Sequence, residues 1–428
     1  ASTNDESRPI RQIEARHIER LLEHFGVARG IATIKSKFAD TRSRRHTGSL
    51  SRLPRWRMGH DCHMGHVKHL YVHVPFCAHR CGYCDFVTVT GNDDRHVAYV
   101  DALVRELETR GSVLANPVET VYIGGGTPSK LGSRLLGSLL DALPQATIET
   151  TVECNPEGVD RELAQMLGER GVRVSLGAQT FAAPLLATLE RQTTPEQVRA
   201  AVTLLREARV PSLSLDLIYG IPGERESDLA RDLAVFEELS PDHISAYELE
   251  AKPGTRFSIH HGAELEAQAE LLERHMDLVI DSLGYSGYSW YEVASFALSH
   301  EHEGQHNRAY WLGHDYLGLG IGAVSTVAGA RRVNAPKLAA YIAEPAAAPA
   351  SIELIDERTR QTERLMLGLR LADGVPISEV ADVLNQSALE RLVQIGIATT
   401  ADDTIRLDRR GRMLLHDCVA DLLDDNAA

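Results

Sequence analysis

Three cysteines set the first constraint on this chain: Cys77, Cys81 and Cys84, in the run Tyr71-Val-His-Val-Pro-Phe-Cys-Ala-His-Arg-Cys-Gly-Tyr-Cys84. Their spacing brings three thiolates within reach of one small object. A structural zinc or a fully closed iron–sulfur cluster takes four protein ligands. Three thiolates on a four-iron cluster leave one iron uncovered and able to hold a small molecule, much as a catalytic zinc keeps one position open. Two other arrangements fit the spacing. The same offsets lie on one stripe of an α-helix, where three thiols would be buried and inert. Zinc is the other, with His73 or His79 as fourth ligand. Pro75, Gly82 and the β-branched run before Pro75 argue for a strand followed by a loop rather than a helix.

Composition bounds the rest. A chain of 428 residues is long enough for two or three domains and a large core. A net charge of −15 argues against a general nucleic-acid or anionic-membrane surface. Six cysteines, three of them clustered, do not make a secreted disulfide framework. Thiols that bind iron must stay reduced, so a cytoplasmic location is expected. No apolar run approaches the roughly 18 residues of a membrane span, and no secretory signal pattern opens the chain. Charge is uneven: residues 1–70 carry +7, with six arginines and no acid from Thr41 to His60, while the remainder carries −22. Ile10, Ile13, Ile18, Leu21, Leu22 and Phe25 predict a short amphipathic helix there. A disordered basic tail and a targeting segment both fit this stretch, though its six acids before Asp61 weaken the second.

From Lys68 to about Glu250 a strand-then-helix unit repeats. Strands are predicted at Leu70–Val74, Val121–Ile123, Thr150–Cys154, Val172–Ala178, Leu213–Ile218 and Ile244–Leu249. Helices are predicted at Val97–Leu107, Leu135–Leu143, Arg161–Leu167, Gln197–Leu205 and Asp228–Leu239. Six parallel strands with crossover helices mean an α/β barrel or an open doubly wound sheet. Side chains alternate across a strand, which puts Tyr71, Glu153, Gln179 and Asp216 late on their strands and on the less apolar face. Burying such groups unpartnered costs about 1–3 kcal/mol each. A polar ligand in the lumen would satisfy them, and so would a network among themselves and water. The run Gly124-Gly125-Gly126-Thr127-Pro128 follows the second strand without the Lys of a P-loop or a G-x-G-x-x-G turn. Close backbone approach is its predicted use, with bare N–H groups offered to a carboxylate.

Cys-x3-Cys-x2-Cys after a short strand, with aromatic Tyr83 before the last cysteine, resembles the radical S-adenosylmethionine (SAM) superfamily. Tyr71-Val-His-Val-Pro-Phe-Cys77, Ile123-Gly-Gly-Gly-Thr-Pro-Ser129, Leu215-Asp-Leu-Ile-Tyr-Gly-Ile-Pro222 and His306-Asn-Arg-Ala-Tyr-Trp311 narrow the resemblance to the HemW haem chaperones. These are relatives of the HemN-type, oxygen-independent coproporphyrinogen III dehydrogenases. The similarity runs from about Lys68 to the C-terminus. It implies an incomplete (β/α)6 barrel over residues 68–300. It also implies a [4Fe-4S] cluster on Cys77, Cys81 and Cys84 whose open iron is chelated by SAM. Matching family positions one at a time implies SAM contacts at Tyr71, Tyr83, Gly125, Gly126, Thr127, Glu153, Gln179, Arg191 and Asp216. Residues 1–67 fall outside the resemblance as a basic extension. Met58 and Met64 lie near its start, so an over-extended N-terminus is a further reading, and residues 1–57 receive no function.

The resemblance also separates a carrier from an enzyme. The dehydrogenases add a fourth cysteine where this chain has Phe86, as HemW proteins do. His306-Asn-Arg-Ala-Tyr-Trp311 matches an HNxxYW pattern linked to haem binding, making His306 a candidate axial ligand. The alternative is a hydrogen-bonded histidine beside two core aromatics. Val324 stands where the family usually has His. The expectation is a haem chaperone that binds a cluster and SAM and hands haem to acceptor proteins, some at the membrane, with an unidentified electron donor and no nucleic acid. A coproporphyrinogen III dehydrogenase is the second reading, and a zinc-stabilised barrel the third. His60, His63, His66 and His69 form a histidine cluster that the family does not predict, and Cys154 and Cys418 read as buried thiols. Residues 301–350 hold the HNxxYW segment and an Ala/Pro linker at 343–349. Residues 351–428 read as a winged-helix-like module: helices at Thr359–Leu371, Ile377–Leu384 and Ala388–Ile395, a hairpin around Asp402-Asp403, and a last helix at Arg410–Leu423. It lacks a strong basic recognition face.

Overall fold

The computed structural model describes residues 66–250, 252, 255–266 and 268–423. Residues 1–65, with the amphipathic helix expected there, His60 and His63, lie outside the described residues. The first half alternates strand and helix: β1 (His69–Val74), α1 (His96–Arg110), β2 (Val118–Gly125), α2 (Gly132–Ala142), β3 (Ala146–Cys154), α3 (Arg161–Glu169), β4 (Arg173–Gln179), α4 (Ala183–Thr188), α5 (Pro195–Glu207), β5 (Leu213–Tyr219), α6 (Glu226–Leu239) and β6 (His243–Glu248). Local chemistry sets the helix starts. Asp160 accepts from Leu163 N to cap α3. Thr194 and Gln197 form a capping box around Pro195 at the start of α5.

Strands β1 to β6 pair in sequence order, all parallel. This is the expected six-unit α/β arrangement, and it does not close on itself. Beyond β6 come α7 (Arg256–Glu266), α8 (Ala269–Tyr285), β7 (Ser289–Glu292), β8 (Ser295–Ala297), α9 (Gln305–Trp311), β9 (Tyr316–Leu319), β10 (Val324–Val327), β11 (Ala330–Val333), α10 (Leu338–Ala343) and β12 (Ser351–Leu354). The outer edge of β1 is taken by β9 and that of β6 by β8. The result is one open sheet of twelve strands. β12 belongs to this sheet, pairing with β11.

One face of the parallel strands is apolar and packs under the helices: Val72, Val74, Ile123, Val152, Val174, Leu176, Leu215 and Ile244 are all fully buried. Each such side chain contributes about 1.5–3 kcal/mol by leaving water. Cys154 lies on that face as a buried free thiol. The opposite face, carrying Tyr71, Glu153 and Asp216, lines the lumen.

The C-terminal unit has its own core around Leu365, Val375, Val383, Leu389, Ile405 and Leu422. It comprises α11 (Glu357–Gly368), β13 (Val375–Pro376), α12 (Gln386–Gln394), β14 (Ala398–Ala401), β15 (Thr404–Leu407), α13 (Arg409–Met413) and α14 (Leu415–Leu422), with its strands ordered β13-β15-β14. Asp402 and Asp403 both take positive φ, as a two-residue hairpin loop requires. Cys418 is buried here. Two expectations fail. Only one 3-10 turn forms in Ile377–Leu384: Asp382 N, which an α-helix would direct to Ser378 O, donates instead to Gln361 Oε1. The last helix breaks at Leu414, which leaves helical geometry at φ −99° and ψ 28°. The unit packs on α9 and β7. Arg308 pairs with Asp373, and the Arg412 guanidinium lies 3.5 Å from the Trp290 ring centroid while donating to Trp290 O.

Candidate cluster and ligand site

Residues 77–84 form a loop with a turn at Gly82-Tyr83, so the helical-stripe arrangement of the cysteines is excluded. Cys77 N donates to Val89 O and Val89 N to Pro75 O, pinning both ends of the loop. All three thiols are free and half-buried. The zinc alternative loses its first fourth ligand. The ring of His73 is buried with both nitrogens engaged, 3.0 Å from Tyr71 OH and 2.8 Å from Val87 O. His79 sits 3.8 Å from Glu190. Among the described residues no three His, Cys, Asp or Glu side chains gather where a single metal ion would fit. A four-iron cluster is larger than one ion and takes its ligands further apart.

Two of the sulfurs receive donors. Thr127 Oγ1 lies 3.6 Å from Cys77 Sγ, and Arg191 Nη1 lies 3.9 Å from Cys81 Sγ. Burial pushes the Cys77 thiol up, with the Thr127 hydroxyl opposing, and pushes Cys84 up to about 11. Arg191 stands in the connection between α4 and α5. Its Nη2 donates to Asn155 Oδ1 and to Gly177 O, both at 3.0 Å. Tyr83 packs against an apolar cluster that includes Leu185, Leu189, Ile218, Ile221 and Phe257.

Register builds the lumen beneath the loop. Tyr71 lies beside Tyr122, and Asp216 beside Ser245. Tyr122 OH donates to Glu153 Oε1 at 2.7 Å, and Gly125 N donates to Oε2 at 2.9 Å. Burial raises the Glu153 carboxyl against these two donors. Asp216 is pushed up to about 7, by burial first and then by the Glu153 charge, with Ser245 and Ser175 opposing. Both acids therefore already have protein partners, as the self-satisfied alternative required. Their raised values record their burial first. Gln179 ends β4 at φ 68° and is buried.

The glycine run works differently from expectation. Gly125 N serves Glu153, Gly126 N donates to Val74 O, and Thr127 N donates to Phe76 O. None of these three N–H groups is left for a ligand carboxylate. The glycines admit the protein's own groups instead: a Cβ on Gly125 would lie 2.4 Å from the His73 ring, and one on Gly126 2.6 Å from the Pro75 carbonyl.

His306 is not open to a ligand. Its ring is 1% exposed, with Nδ1 2.7 Å from Thr120 Oγ1 and Nε2 2.9 Å from Tyr310 OH. It stacks on Tyr122. The backbone N–H groups of Gln305 and His306, at the start of α9, donate to Glu149 of β3. Burial drives its pKa down to about 3, so the ring is neutral. In this geometry α9 is a floor strapped across β2 and β3, and axial ligation by His306 would first require breaking one of two buried hydrogen bonds. His69 joins the same network, 3.0 Å from Thr120 Oγ1 and 3.3 Å from His314 Nδ1. His66 is exposed.

Comparison with known proteins decides the family. Residues 71–235 match the radical SAM superfamily model and residues 355–414 the HemN C-terminal domain model. A Mycobacterium tuberculosis protein named "Heme chaperone HemW" is 36% identical over 371 residues, covering 83% of this chain and 94% of the relative. The chain belongs to the HemW haem chaperone family. A Bacillus subtilis HemW is 30% identical over 368 residues, covering 81% of this chain and 97% of that one. The solved coproporphyrinogen III oxidase HemN of Escherichia coli, described as a radical SAM enzyme, superposes with a TM-score of 0.69 at 23% identity, over 83% of this chain and 89% of that one. That likeness establishes a shared fold.

Within the family frame, Phe86 is 59% exposed beside the cysteine loop. Val324 is buried at the start of β10, paired with Val333. Sequence reasoning missed Asn155, Tyr122, Ser175, Ser245 and Thr120 as site residues. Strand parity carried a signal for Asn155, which shares a face with Glu153. Nothing in the sequence gave its partners, which are 28 and 36 residues away.

Proposed function

We propose that this HemW family member binds a [4Fe-4S] cluster through Cys77, Cys81 and Cys84, holds SAM against it at the mouth of the lumen, and captures haem for delivery to haem proteins. The observation that carries the reading is the cysteine loop itself: three half-buried sulfurs on one pinned loop, two of them facing side-chain donors from Thr127 and Arg191. When bound and reduced, the cluster supplies the electron for reductive cleavage of a SAM carbon–sulfur bond. This chain's residues do the rest. Glu153 and Asp216 offer carboxylates to the positive charge of a sulfonium. In this reading Tyr71, Tyr83, Gln179 and Arg191 orient the ligand, Gly125, Gly126 and Thr127 shape the wall beside it through their bonds to the protein's own groups, and the enclosing sheet keeps water out.

Haem capture is supported by the relatives' names and by Phe86 standing in place of a fourth cysteine. His306 is assigned to the floor, and the haem ligand is left to another group. Haem-accepting proteins and an electron donor are the partners this reading calls for. Among the described residues no helix is long and apolar enough to cross a membrane.

Anaerobic reconstitution with iron and sulfide tests the reading. A four-iron electron paramagnetic resonance (EPR) signal that SAM perturbs, stoichiometric haem uptake and no porphyrinogen turnover are expected. A colourless protein, or a cluster fully ligated by side chains, would overturn the cofactor assignment. Protoporphyrinogen formation without haem affinity would make the chain a dehydrogenase.

A further inference from the structure

Asn155 closes a loop of hydrogen bonds behind the cysteines that no matched family position includes. Its Nδ2 donates to Thr127 Oγ1 at 3.2 Å, and its Oδ1 accepts from Arg191 Nη2 at 3.0 Å. Thr127 in turn faces Cys77 Sγ, and Arg191 faces Cys81 Sγ. One amide thus holds both donors that reach the sulfurs. The main chain beneath that amide is anchored: the backbone N of Asn155 donates to Ser129 Oγ, and the residue follows directly on β3.

The direction of each bond matters. Thr127 Oγ1 accepts the amide proton of Asn155, which leaves its own hydrogen free to point at Cys77. Arg191 spends Nη2 on Asn155 and on Gly177 O, which leaves Nη1 for Cys81. Its Nε is buried and finds no partner among the described residues, so the guanidinium is held by the Nη2 bonds. Gly177 is part of the same arrangement, because a Cβ there would lie 3.2 Å from Arg191 Nη2 and 2.9 Å from Gln179 Nε2. Hydrogen bonds to cluster sulfurs favour the reduced, more negative state and raise the reduction potential.

We propose that Asn155 is a positioning residue of the cluster: by holding the Thr127 hydroxyl and the Arg191 guanidinium on the sulfurs of Cys77 and Cys81, it raises the cluster's reduction potential. This rests on the cluster reading above. It makes the isosteric change Asn155→Asp informative. A carboxylate accepts but does not donate, so the Thr127 hydrogen would turn from Cys77 Sγ to the introduced carboxylate, and the sulfur would lose its donor.

The test is an EPR-monitored redox titration of the reconstituted protein without SAM, with iron content and far-ultraviolet circular dichroism measured alongside. Asn155→Leu, which is neutral and of similar size, and Asn155→Asp are both expected to shift the potential negative at wild-type iron content. A tenfold fall in the equilibrium constant for reduction, about 59 mV for one electron, is the expected size. Thr127→Val should shift it in the same direction, and the Asn155→Asp shift should shrink in the Thr127→Val background, since both act through one hydrogen. Loss of iron from Asn155→Leu with a native dichroism spectrum also supports the holding role and leaves the potential to Asn155→Asp. Potentials equal to wild type in both Asn155 variants, or an undiminished Asn155→Asp shift in the Thr127→Val background, would overturn the inference. A wild type that binds no cluster sinks the cofactor assignment instead, so the two failures are distinguishable.

Discussion

Removing the His306 ring separates a floor post from a haem ligand. In His306→Ala two buried hydrogen bonds disappear, to Thr120 and Tyr310, each worth about 1 kcal/mol. The ring also leaves a cavity beside Tyr122 and Tyr310, and the total for such a truncation is about 3 kcal/mol at pH 7. Acid makes the case sharper. The ring stays neutral in the fold down to about 3, whereas the free group titrates at 6.5. Below pH 6.5 the unfolded chain binds a proton that the folded chain does not, so the wild type loses stability as pH falls. At pH 5 the loss from this ring alone is about 2 kcal/mol. The variant has no such ring, so its deficit should narrow from about 3 kcal/mol at pH 7 to about 1 kcal/mol at pH 5. Urea denaturation at the two pH values reads this, and haem titration of folded protein reads the other side. A floor post predicts that His306→Gln, which can still bond Thr120 and Tyr310, keeps the wild-type haem spectrum. A variant with wild-type midpoints and no haem absorption would refute the argument.

Other parts of the site give sharp expectations. Single replacements of Cys77, Cys81 or Cys84 by Ala should abolish the four-iron signal, while Cys154→Ala and Cys418→Ala, both removing buried thiols outside the loop, should keep full iron content. Gly126→Ala drives a Cβ to 2.6 Å from the Pro75 carbonyl; expect about 2 kcal/mol of destabilisation and reduced iron retention, measured by denaturation and iron counting. SAM should bind more tightly as pH rises from 6 to 8. A cation beside Asp216, whose carboxyl sits at about 7, favours the ionised form and releases a proton, so affinity should gain up to about tenfold over that range. Asp216→Asn should flatten the calorimetric pH profile.

The parallel half of the fold was legible because each strand–helix unit announces itself locally. Alternation named the buried face of β3 and the lumenal position of Glu153, and helix periodicity placed α1 to α3, α5 and α6 within a few residues. The strands that flank the parallel set were not legible. β9 is four residues, Tyr-Leu-Gly-Leu, and its reason for being a strand is the edge of β1, more than two hundred residues earlier. The cysteine loop could be read because spacing alone limits what three thiols can hold. The glycine run could be read for its need of close approach, but sequence could not say that the approaching groups are His73 and Pro75 rather than a ligand. His306 shows the same limit more strongly: the motif itself supplies Tyr310, one turn along the same helix, while burial and the remaining partners arise from Thr120 and Glu149 on two distant strands.

The floor and the mouth of the lumen are mechanically one object. A helix of seven residues is far too short to stand alone, so α9 exists because Glu149 binds its first N–H groups and His306 locks it to β2. His306 touches β2 twice, bonding Thr120 and stacking on Tyr122. Tyr122 then donates to Glu153, and Glu153 accepts from Gly125, at the head of the glycine run that leads to Thr127. Thr127 faces Cys77. Every link in that series is a contact or a hydrogen bond, running from α9 through β2 and β3 to the segments that follow β2 and β1. The position of the loop that would hold the cluster is therefore set partly from below. An open sheet cannot fix its own curvature by closing, as a complete barrel does. The HNxxYW segment ties β2 to β3 through His306 and Glu149, a physical reason for a buried histidine in this place that does not depend on iron ligation.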